Sequence, residues 1–543
     1  MTGVVVWAIA AGVSWMVVRP VLRWRLRRIS GPWPLLVLGH LPQMVAQDIT
    51  IYLHKLHSKQ KYGPVFKVWM GGRPIVCVSD VELARKIMLR QAARPDLSYL
   101  VTLVGEHHDM YARNTLSLTG PMWRASRRAF EATVMHPKAL AGLEPDILRN
   151  VGRLLTWLQV NADSGQPCDV VIPLSAMTMD VTGKVAFGVD MFSLDASLTA
   201  EKRKALDKVY TDEPAWWDKY EPGSPEFGTA VVRASREVFK GSHIQNGHAI
   251  KPLTALFPAF QGLIDQLANI FPDSGQRADL KARHSVISAT KRLLAEERAR
   301  HEAGVDSASG TSFLSTLVSG SQLLAGETMD EATIVMQAFT MLLAGYETTA
   351  SALSAALFLL SENPQAQARA NSEIDSVLHG KSPTKEDLER LPYCCAVIEE
   401  SLRLLPPGSV AVREGPKADM DLGDGLIIPK GAEMMLPLYT FQRDPAIWPR
   451  AEEFLPERFI QPGNKDVAPS TPHAHMPFGH GARMCVGYKF ALLEARLALV
   501  AMLQRFSFNP PPPSCPKPVF KTGLVYTSPH MWLSIQARHA SSS

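Results

Sequence analysis

The chain has 543 residues, of which 46% are hydrophobic and 20% charged, an ordinary balance for a folded globular protein. A net charge of +5 over this length is weak support for a nucleic-acid partner, and we expect none. Six cysteines without a Cys-x-x-Cys pair are too few for a disulfide scaffold, so we expect a reducing compartment.

The N-terminus begins with an uncharged apolar run from Gly3 to Val18. Extended to Leu22, the run reaches about 20 residues, enough to span a bilayer. Five arginines follow between positions 19 and 28, and no Lys or Arg precedes the run, so the positive-inside rule places the later chain in the cytosol. A cleaved signal peptide has the opposite order of charge. We therefore predict a transmembrane anchor over residues 1–22 and a basic, proline-rich hinge over residues 23–40.

Residues 41–543 show no internal repeat and no long linker, so we predict that they form a single domain. Two short strands around Gly71-Gly72 are predicted between Pro64 and Asp80, whereas most of the later chain has helical periodicity. The stretch from about 199 to 273 is irregular and matches no motif. The predicted fold is mainly α with small β-sheets, an α+β class.

The clearest predicted element is a long helix from near Thr328 to Ser361. Thr328 and Glu331 fit a capping box at its start. The run is apolar nearly all round, so we expect the helix to be buried. Glu347-Thr348-Thr349 interrupts it beside Gly345, and a buried carboxylate and a helical glycine both cost stability. Local rules that fail together mark a functional site.

Residues 477–487, PFGHGARMCVG, surround one cysteine with glycines and a single arginine. The pattern Phe-x-x-Gly-x-Arg-x-Cys-x-Gly is filled by Phe478, Gly481, Arg483, Cys485 and Gly487. This is the heme-ligand signature of the cytochrome P-450 family, which the chain resembles over nearly its whole length. Without the flanking pattern, the cysteine would be interpreted as one more small buried hydrophobe.

The resemblance implies the cytochrome P-450 fold, with heme b between a long distal helix and a proximal loop that carries the cysteine ligand. Cys485 would bind the iron as a thiolate, and the small residues around it would let the heme plane approach the backbone. Arg483 would pair with a heme propionate, and the looser family pattern suggests the same for Arg413.

Two further pairs agree with this family. Trp123 and Arg127, four residues apart, resemble the helix that offers two hydrogen-bond donors to a propionate. Glu400 and Arg403, completed by Arg458, resemble the family's core triad, which has a structural role. Taken alone, a glutamate and an arginine at this spacing usually form a solvated surface ion pair.

The interrupted helix resembles the family's oxygen-activation segment. By this resemblance Gly345 loosens the helix where dioxygen must fit, Thr348 holds a water, and Glu347 supplies protons. The alternative for Thr348 is a hydroxyl bonded to the carbonyl one turn earlier.

The function implied is a monooxygenase that uses O2 to hydroxylate or epoxidise a mainly apolar small molecule. An NADPH-cytochrome reductase would supply the electrons, and the implied location is the endoplasmic reticulum membrane, with membrane lipid as a partner and the catalytic domain facing the cytosol. One alternative is an isomerase or dehydratase of the same fold that acts on lipid peroxides without external electrons, and another is a non-catalytic heme-binding protein. Retention of Glu347 and Thr348 favours the monooxygenase, because isomerase and dehydratase members often lack this pair.

The resemblance also predicts two surfaces. The substrate pocket would draw on the loop from about 97 to 118, Phe339, Leu342, the segment Ser409 to Val412, and the loop near Leu524. A basic patch of Arg124, Arg128 and Lys489 on the thiolate side would face an acidic surface of the reductase, the alternative being ordinary solvated charge.

Overall fold

Long helices with a few short strands make up the part of the chain that the computed structural model describes. That part comprises residues 25–35, 38–58, 61–91, 93–94, 110, 112–194, 208–210, 213, 215–242, 253–254, 256–257, 260–304, 312–320, 329–423, 425–461 and 463–538. The predicted anchor, residues 1–22, lies outside it.

The helices follow one another from the first described segments to the C-terminal region. They are α1 (Leu41–Gln47), α2 (Ile49–Ser58), α3 (Val81–Arg90), α4 (Gly120–Val134), α5 (Pro137–Ser164), α6 (Val171–Phe187), α7 (Trp216–Lys219), α8 (Pro225–Ser242), α9 (Gln261–Ile270), α10 (Ser274–Glu302), α11 (Phe313–Ser319), α12 (Glu331–Glu362), α13 (Pro364–Leu378), α14 (Pro392–Leu404), α15 (Leu438–Phe441) and α16 (Tyr488–Arg505). Short 3₁₀ turns lie at Leu26–Arg28, Glu386–Arg390, Pro456–Phe459, Pro472–Ala474 and Gly481–Arg483.

Small sheets accompany the helices, as the predicted fold class requires. Their strands are β1 (Val65–Met70), β2 (Arg73–Val78), β3 (Cys168–Asp169), β4 (Ala411–Arg413), β5 (Met420–Asp421), β6 (Ile427–Ile428), β7 (Glu433–Leu436), β8 (Phe506–Asn509), β9 (Lys521–Thr522), β10 (Tyr526–Thr527) and β11 (Trp532–Ala537). The largest sheet has the order β1-β2-β7-β4, in which β1 and β2 form the predicted hairpin and β7 lies parallel to β2. Because β4 is an edge strand, it carries Arg413 to the border of this sheet.

The described part of the predicted hinge packs against this sheet. Leu26 and Ile29 are buried in one cluster with Val65 and Val76. The Lys67 amide donates to the carbonyl of Ser30, and its ammonium donates to the carbonyl of Leu26. The chain therefore joins the folded body well before residue 40.

Helix α12 is the long buried helix that the sequence predicts. Its first residue is Glu331, and the side chain of Asp330 caps it by accepting a hydrogen bond from the Thr333 amide at 2.9 Å. The Asp330 cap replaces the predicted capping box, whose Thr328 lies outside the described residues. Helix α12 packs along α6 and also contacts α10, α14 and α16. It is the one described helix with the length and composition to cross a bilayer, but 67% of that apolar stretch is buried in the protein, as in a core helix.

Glu400, Arg403 and Arg458 form a buried ion network rather than a solvated surface pair. Arg403 contacts both Glu400 carboxylate oxygens, at 2.6 and 2.8 Å, and Arg458 Nε contacts one of them at 3.1 Å. All three side chains are completely inaccessible. The arginines also donate to carbonyls of residues 442, 449 to 451, 453 and 467, so the triad ties α14 to the segment that precedes the cysteine loop. Removing one partner of such a network typically costs about 3–5 kcal/mol.

Glu494 is a second buried acid, on α16 directly after the cysteine loop. It is fully buried, and neither carboxylate oxygen has a hydrogen-bond partner among the described residues. Burial raises the pKa of Glu494 well above its ordinary value. The folded protein therefore keeps this carboxyl protonated where an unfolded chain would not.

We predict that Glu494→Gln changes the pH dependence of stability. Below about pH 4.5 the carboxyl is protonated in both states, and above it only the unfolded state releases the proton. Wild-type stability therefore falls as the pH rises from there towards the raised pKa, and the glutamine variant lacks this loss. The difference in melting temperature between variant and wild type should grow from about pH 5 to about pH 8.

Thermal unfolding of the purified holoprotein at both pH values measures this difference. The exposed Glu389, changed to glutamine, is the control and should leave the melting temperature nearly constant. An equal shift at both pH values for Glu494→Gln would show that the carboxyl is not held protonated by the fold.

Candidate active site

The cysteine loop is shaped by glycines and backbone hydrogen bonds. Gly481 has φ +71°, and a Cβ there would lie 2.4 Å from the carbonyl oxygen of Met88, so only glycine fits. The Cys485 amide donates to the carbonyl of Phe478 at 2.9 Å, which closes the loop. A Cβ added at Gly487 would meet no atom within 4 Å, so this glycine borders open space.

The Cys485 thiol lies among protein atoms that change its pKa. Its side chain is accessible, yet burial among protein atoms is the main influence on the thiol and raises its pKa. The Gly487 amide donates to the sulfur and, with the charges of Arg127 and Arg94, opposes that rise. The sulfur is thus reachable by a ligand and is surrounded by groups that stabilise its negative form.

Arginines gather beside this loop. Burial, then the positive charges of Arg94 and Arg127, lower the pKa of Arg483 to about 10. Burial, then Arg94 and Arg483, lower the pKa of Arg413 to about 10. Arg413 Nε has no hydrogen-bond partner among the described residues. Partly buried guanidinium groups that repel one another favour the binding of an anion nearby.

Two of these arginines also support the loop itself. Arg483 donates to the carbonyls of Thr115 and Leu118, at 2.9 and 2.5 Å, and its guanidinium stacks 4.3 Å from the centroid of the Trp123 ring. Arg127 donates to the carbonyl of Met484 at 2.6 Å. The predicted Trp123 and Arg127 therefore lie together with Arg483 beside the cysteine loop, as does Arg413.

Arg94 completes the cluster, and the sequence analysis missed it. It donates a long hydrogen bond, 3.4 Å, to the carbonyl of Arg483 and lies near Cys485 and Arg127. No motif surrounds it in the sequence. Arg94 lies in the sequence between the first strands and α4, and only the fold brings it close to the other arginines.

Helix α12 is mostly buried, but one narrow face of it is accessible, and we call this the open face. Ala344 is exposed and Thr348 half-buried, whereas Leu343 and Thr349 are buried. The helix assignment is continuous through Gly345, and the loosening expected there stays a prediction. A Cβ at Gly345 would lie 2.7 Å from the Thr182 side chain, so glycine permits close packing of α12 on α6.

Thr348 and Glu347 differ in what they contact. The Thr348 hydroxyl donates to the Ala344 carbonyl at 2.7 Å, which is the alternative that its helical position allowed. Its oxygen keeps lone pairs that can accept a hydrogen bond from a ligand on the open face. Glu347 is 8% exposed, and burial raises its pKa while the charge of Arg236 on α8 opposes the rise. Glu347 therefore holds its proton to a higher pH than an exposed glutamate does.

The remaining predicted residues are placed as follows. Phe478 is half-buried, with its ring 6.1 Å from that of Tyr488. Phe339 and Leu342 are each 2% exposed within the main core, so Ala344 rather than these two residues presents the open face of α12. Only the later part of the loop from 97 to 118 lies within the described residues.

These residues fit a heme. An accessible sulfur in a glycine-walled loop suits an iron ligand next to a flat group, and the arginine cluster suits two propionate carboxylates. The site thus defines the chain as a cysteine-ligated heme oxidoreductase.

Comparison with known proteins agrees with this class. A family model described as "Cytochrome P450" matches residues 29–241 and 244–534, so the chain belongs to the cytochrome P450 family. It is 29% identical to "Carotene epsilon-monooxygenase, chloroplastic" of Arabidopsis thaliana over 82% of this chain and 75% of that protein. It is 27% identical to "Cytochrome P450 3A56" of Fundulus heteroclitus over 89% and 86%, and 26% identical to "Cytochrome P450 3A2" of Rattus norvegicus over 89% and 86%. The predicted family, fold class and oxidoreductase activity, that of a P450 monooxygenase, are confirmed.

We predict that Arg413→Gln weakens heme retention. Losing one charge-assisted hydrogen bond to a propionate costs about 1.5–3 kcal/mol, which corresponds to roughly ten- to a hundredfold faster heme loss. Transfer of heme from the purified protein to excess apomyoglobin measures the rate. The exposed Arg90, changed to glutamine, is the control. Equal rates in both variants would mean that Arg413 does not hold the heme.

Proposed function

We propose that this cytochrome P450 hydroxylates or epoxidises a mainly apolar small molecule with electrons from an NADPH-dependent reductase in the same membrane. The observation that carries the proposal is the accessible Cys485 sulfur beside the arginine cluster, combined with a distal helix that keeps Glu347 and Thr348. The heme, when bound, supplies the activation of dioxygen and the insertion of one oxygen atom. The protein supplies ligation, orientation and protons.

Each named residue has a separate part in this proposal. Cys485 binds the iron as a thiolate, stabilised by the Gly487 amide and by nearby arginine charge. The arginine cluster neutralises the propionates and so fixes the heme orientation. Thr348 accepts a hydrogen bond from water on the open face of α12, while its own O–H donates to the Ala344 carbonyl. Glu347 keeps a proton available beside it.

Surface charge supports the proposed reductase partner, and the N-terminal sequence supports the proposed membrane location. Arg124 and Lys489 are exposed and Arg128 is half-buried, on the helices that flank the cysteine loop. This arrangement supports a basic docking face for an acidic reductase surface. The apolar run before a group of arginines supports a single-pass anchor in the endoplasmic reticulum membrane with the catalytic domain in the cytosol. The name of the Arabidopsis relative, a carotene monooxygenase, supports an apolar substrate.

The reduced, CO-bound absorption spectrum tests the thiolate ligand. We expect a strongly red-shifted Soret band for the wild type and its loss, together with the loss of bound heme, in Cys485→Ala. Cys515→Ala, at a half-buried cysteine elsewhere, is the matched control and should keep the band. A wild-type band like that of histidine-ligated heme would exclude thiolate ligation.

We also predict that Thr348→Ala leaves the CO spectrum intact but lowers the amount of product formed per NADPH consumed. The electrons should appear instead in hydrogen peroxide or water, because the variant no longer positions the water that delivers protons. Product, NADPH and hydrogen peroxide are measured together in the reconstituted system.

The control for this experiment is Thr340→Ala. Thr340 lies on the same helix and makes the same bond to the carbonyl four residues earlier, but it is buried. Unchanged product per NADPH in Thr348→Ala, or an equal loss in both variants, would refute the proton-delivery role.

A further inference from the structure

Asp48, between α1 and α2, has a backbone conformation that side chains rarely adopt. Its φ is +69° and its ψ 141°, a region occupied almost only by glycine. The residue is 7% exposed. A strained residue of this kind persists only when its surroundings hold it in place, and such residues concentrate at functional positions.

The Asp48 carboxylate is held by three donors. It accepts hydrogen bonds from the Thr50 amide at 2.9 Å, and from both the amide and the hydroxyl of Thr522 at 2.6 Å. Thr522 lies in β9, 474 positions further along the chain. The carboxylate thus joins the first helices of the described chain to its last sheets.

The hydroxyls of Thr50 and Ser409 extend this hydrogen-bond network, and all of its hydroxyls donate towards Asp48. The Thr50 oxygen lies 2.8 Å from that of Thr522 and 2.7 Å from that of Ser409. A carboxylate only accepts, so the Thr522 hydroxyl donates to Asp48, Thr50 donates to Thr522, and Ser409 donates to Thr50. Protons aligned in this way strengthen one another, and the charge at the end strengthens the first bond. We name Asp48, Thr50, Thr522 and Ser409 the Asp48 clasp.

One end of the clasp holds the β9–β10 hairpin. Thr527 in this hairpin accepts a hydrogen bond at 2.9 Å from Ser351, which lies three residues after Thr348 on α12. The amide of Leu524, in the turn, donates to the Ser242 hydroxyl at the end of α8. The hairpin therefore lies beside the open face of α12.

The other end holds the segment from Ser409 to Arg413. Its strand β4 leads directly to Arg413 in the arginine cluster. Just before it, a Cβ at Gly408 would lie 3.7 Å from the carbonyl of Pro477, which begins the cysteine loop. This segment therefore runs along the edge of the candidate heme site.

We propose that Asp48 is a positioning residue that fixes the hairpin and the Ser409–Arg413 segment relative to the heme, and so sets which ligand sizes the active site admits. This proposal depends on the proposed function in one respect, namely that a heme occupies the site. Asp48 itself does not touch substrate. Its strained backbone aims the carboxylate at Thr522, and the chain of hydroxyls transmits the position to Ser409.

The test compares a small and a bulky iron ligand on the full-length holoprotein. Imidazole and clotrimazole are titrated by the change in the heme spectrum that nitrogen ligation causes. In Asp48→Asn and Thr522→Val, we expect the imidazole dissociation constant to stay within about twofold and the ratio of the two constants to change by about fivefold or more. Thr522→Ser keeps the hydroxyl and should restore the wild-type ratio.

Asp48→Gly separates backbone strain from hydrogen bonding. Glycine removes the strain, so the variant should fold at least as well, yet it lacks the carboxylate and should show the altered ratio. Hydrogen exchange of residues 521–527 should be faster in all three variants that break the clasp. An unchanged ratio in Asp48→Gly and Thr522→Val, or an equal loss of affinity for both ligands, would overturn the proposal.

The CO spectrum of each variant shows whether a failure concerns the positioning role of Asp48 or the proposed function. A wild type without a thiolate spectrum would refute the heme ligation, whereas hydrogen exchange of the hairpin would still decide whether the clasp holds it. A normal spectrum with an unchanged ligand ratio would refute the positioning role alone.

Discussion

Repulsion among arginines beside the cysteine loop is the constraint on which the site depends. Arg94, Arg127, Arg413 and Arg483 lie near one another, and burial first, then the positive charges of their neighbours, lower the pKa of three of them. The Glu131 carboxylate pairs with Arg127 at 2.7 Å, whereas backbone carbonyls satisfy part of the hydrogen bonding of the cluster without cancelling its charge. On the proposed function, a heme would bring two carboxylates to these arginines while it ligates the adjacent sulfur. Cofactor binding and the stability of this region would then be linked, because a ligand of the folded state stabilises it.

Accessibility, rather than residue type, distinguishes the functional groups of α12. Thr340, Thr348 and Thr349 each donate to the carbonyl four residues earlier, so their hydrogen bonding is the same. Only Thr348 shares an open face with Ala344, since the other two are buried. Glu347, next to it, is buried, and this burial raises its pKa. The helix thus places an accessible hydroxyl next to a buried carboxyl, within two consecutive residues.

What could be predicted from the sequence depended on whether a residue broke a local rule. Cys485 was predictable because its glycines and single arginine form a dense local pattern, and α12 because a carboxylate interrupts an apolar helix. Arg94 and Asp48 belong to no local pattern, since their importance arises from partners hundreds of residues away. The Glu400–Arg403 spacing was visible, but its burial was not, because burial depends on the whole chain packing over it. The contact of Gly345 with Thr182 was not predictable for the same reason, because Thr182 lies on another helix.

Two groups of residues have different proposed roles at the site. The arginine cluster and the cysteine loop are the proposed contacts of the heme, and they say little about the substrate. The Asp48 clasp joins residues that need not touch the heme, through a chain of hydrogen bonds that ends at the Asp48 carboxylate. The strained backbone at Asp48 costs stability and persists because the sheet and helices around it are packed and hold it in place. On this proposal, changing the walls alters the ligand size that the site admits while the chemistry at the iron stays the same, in line with one fold serving different substrates.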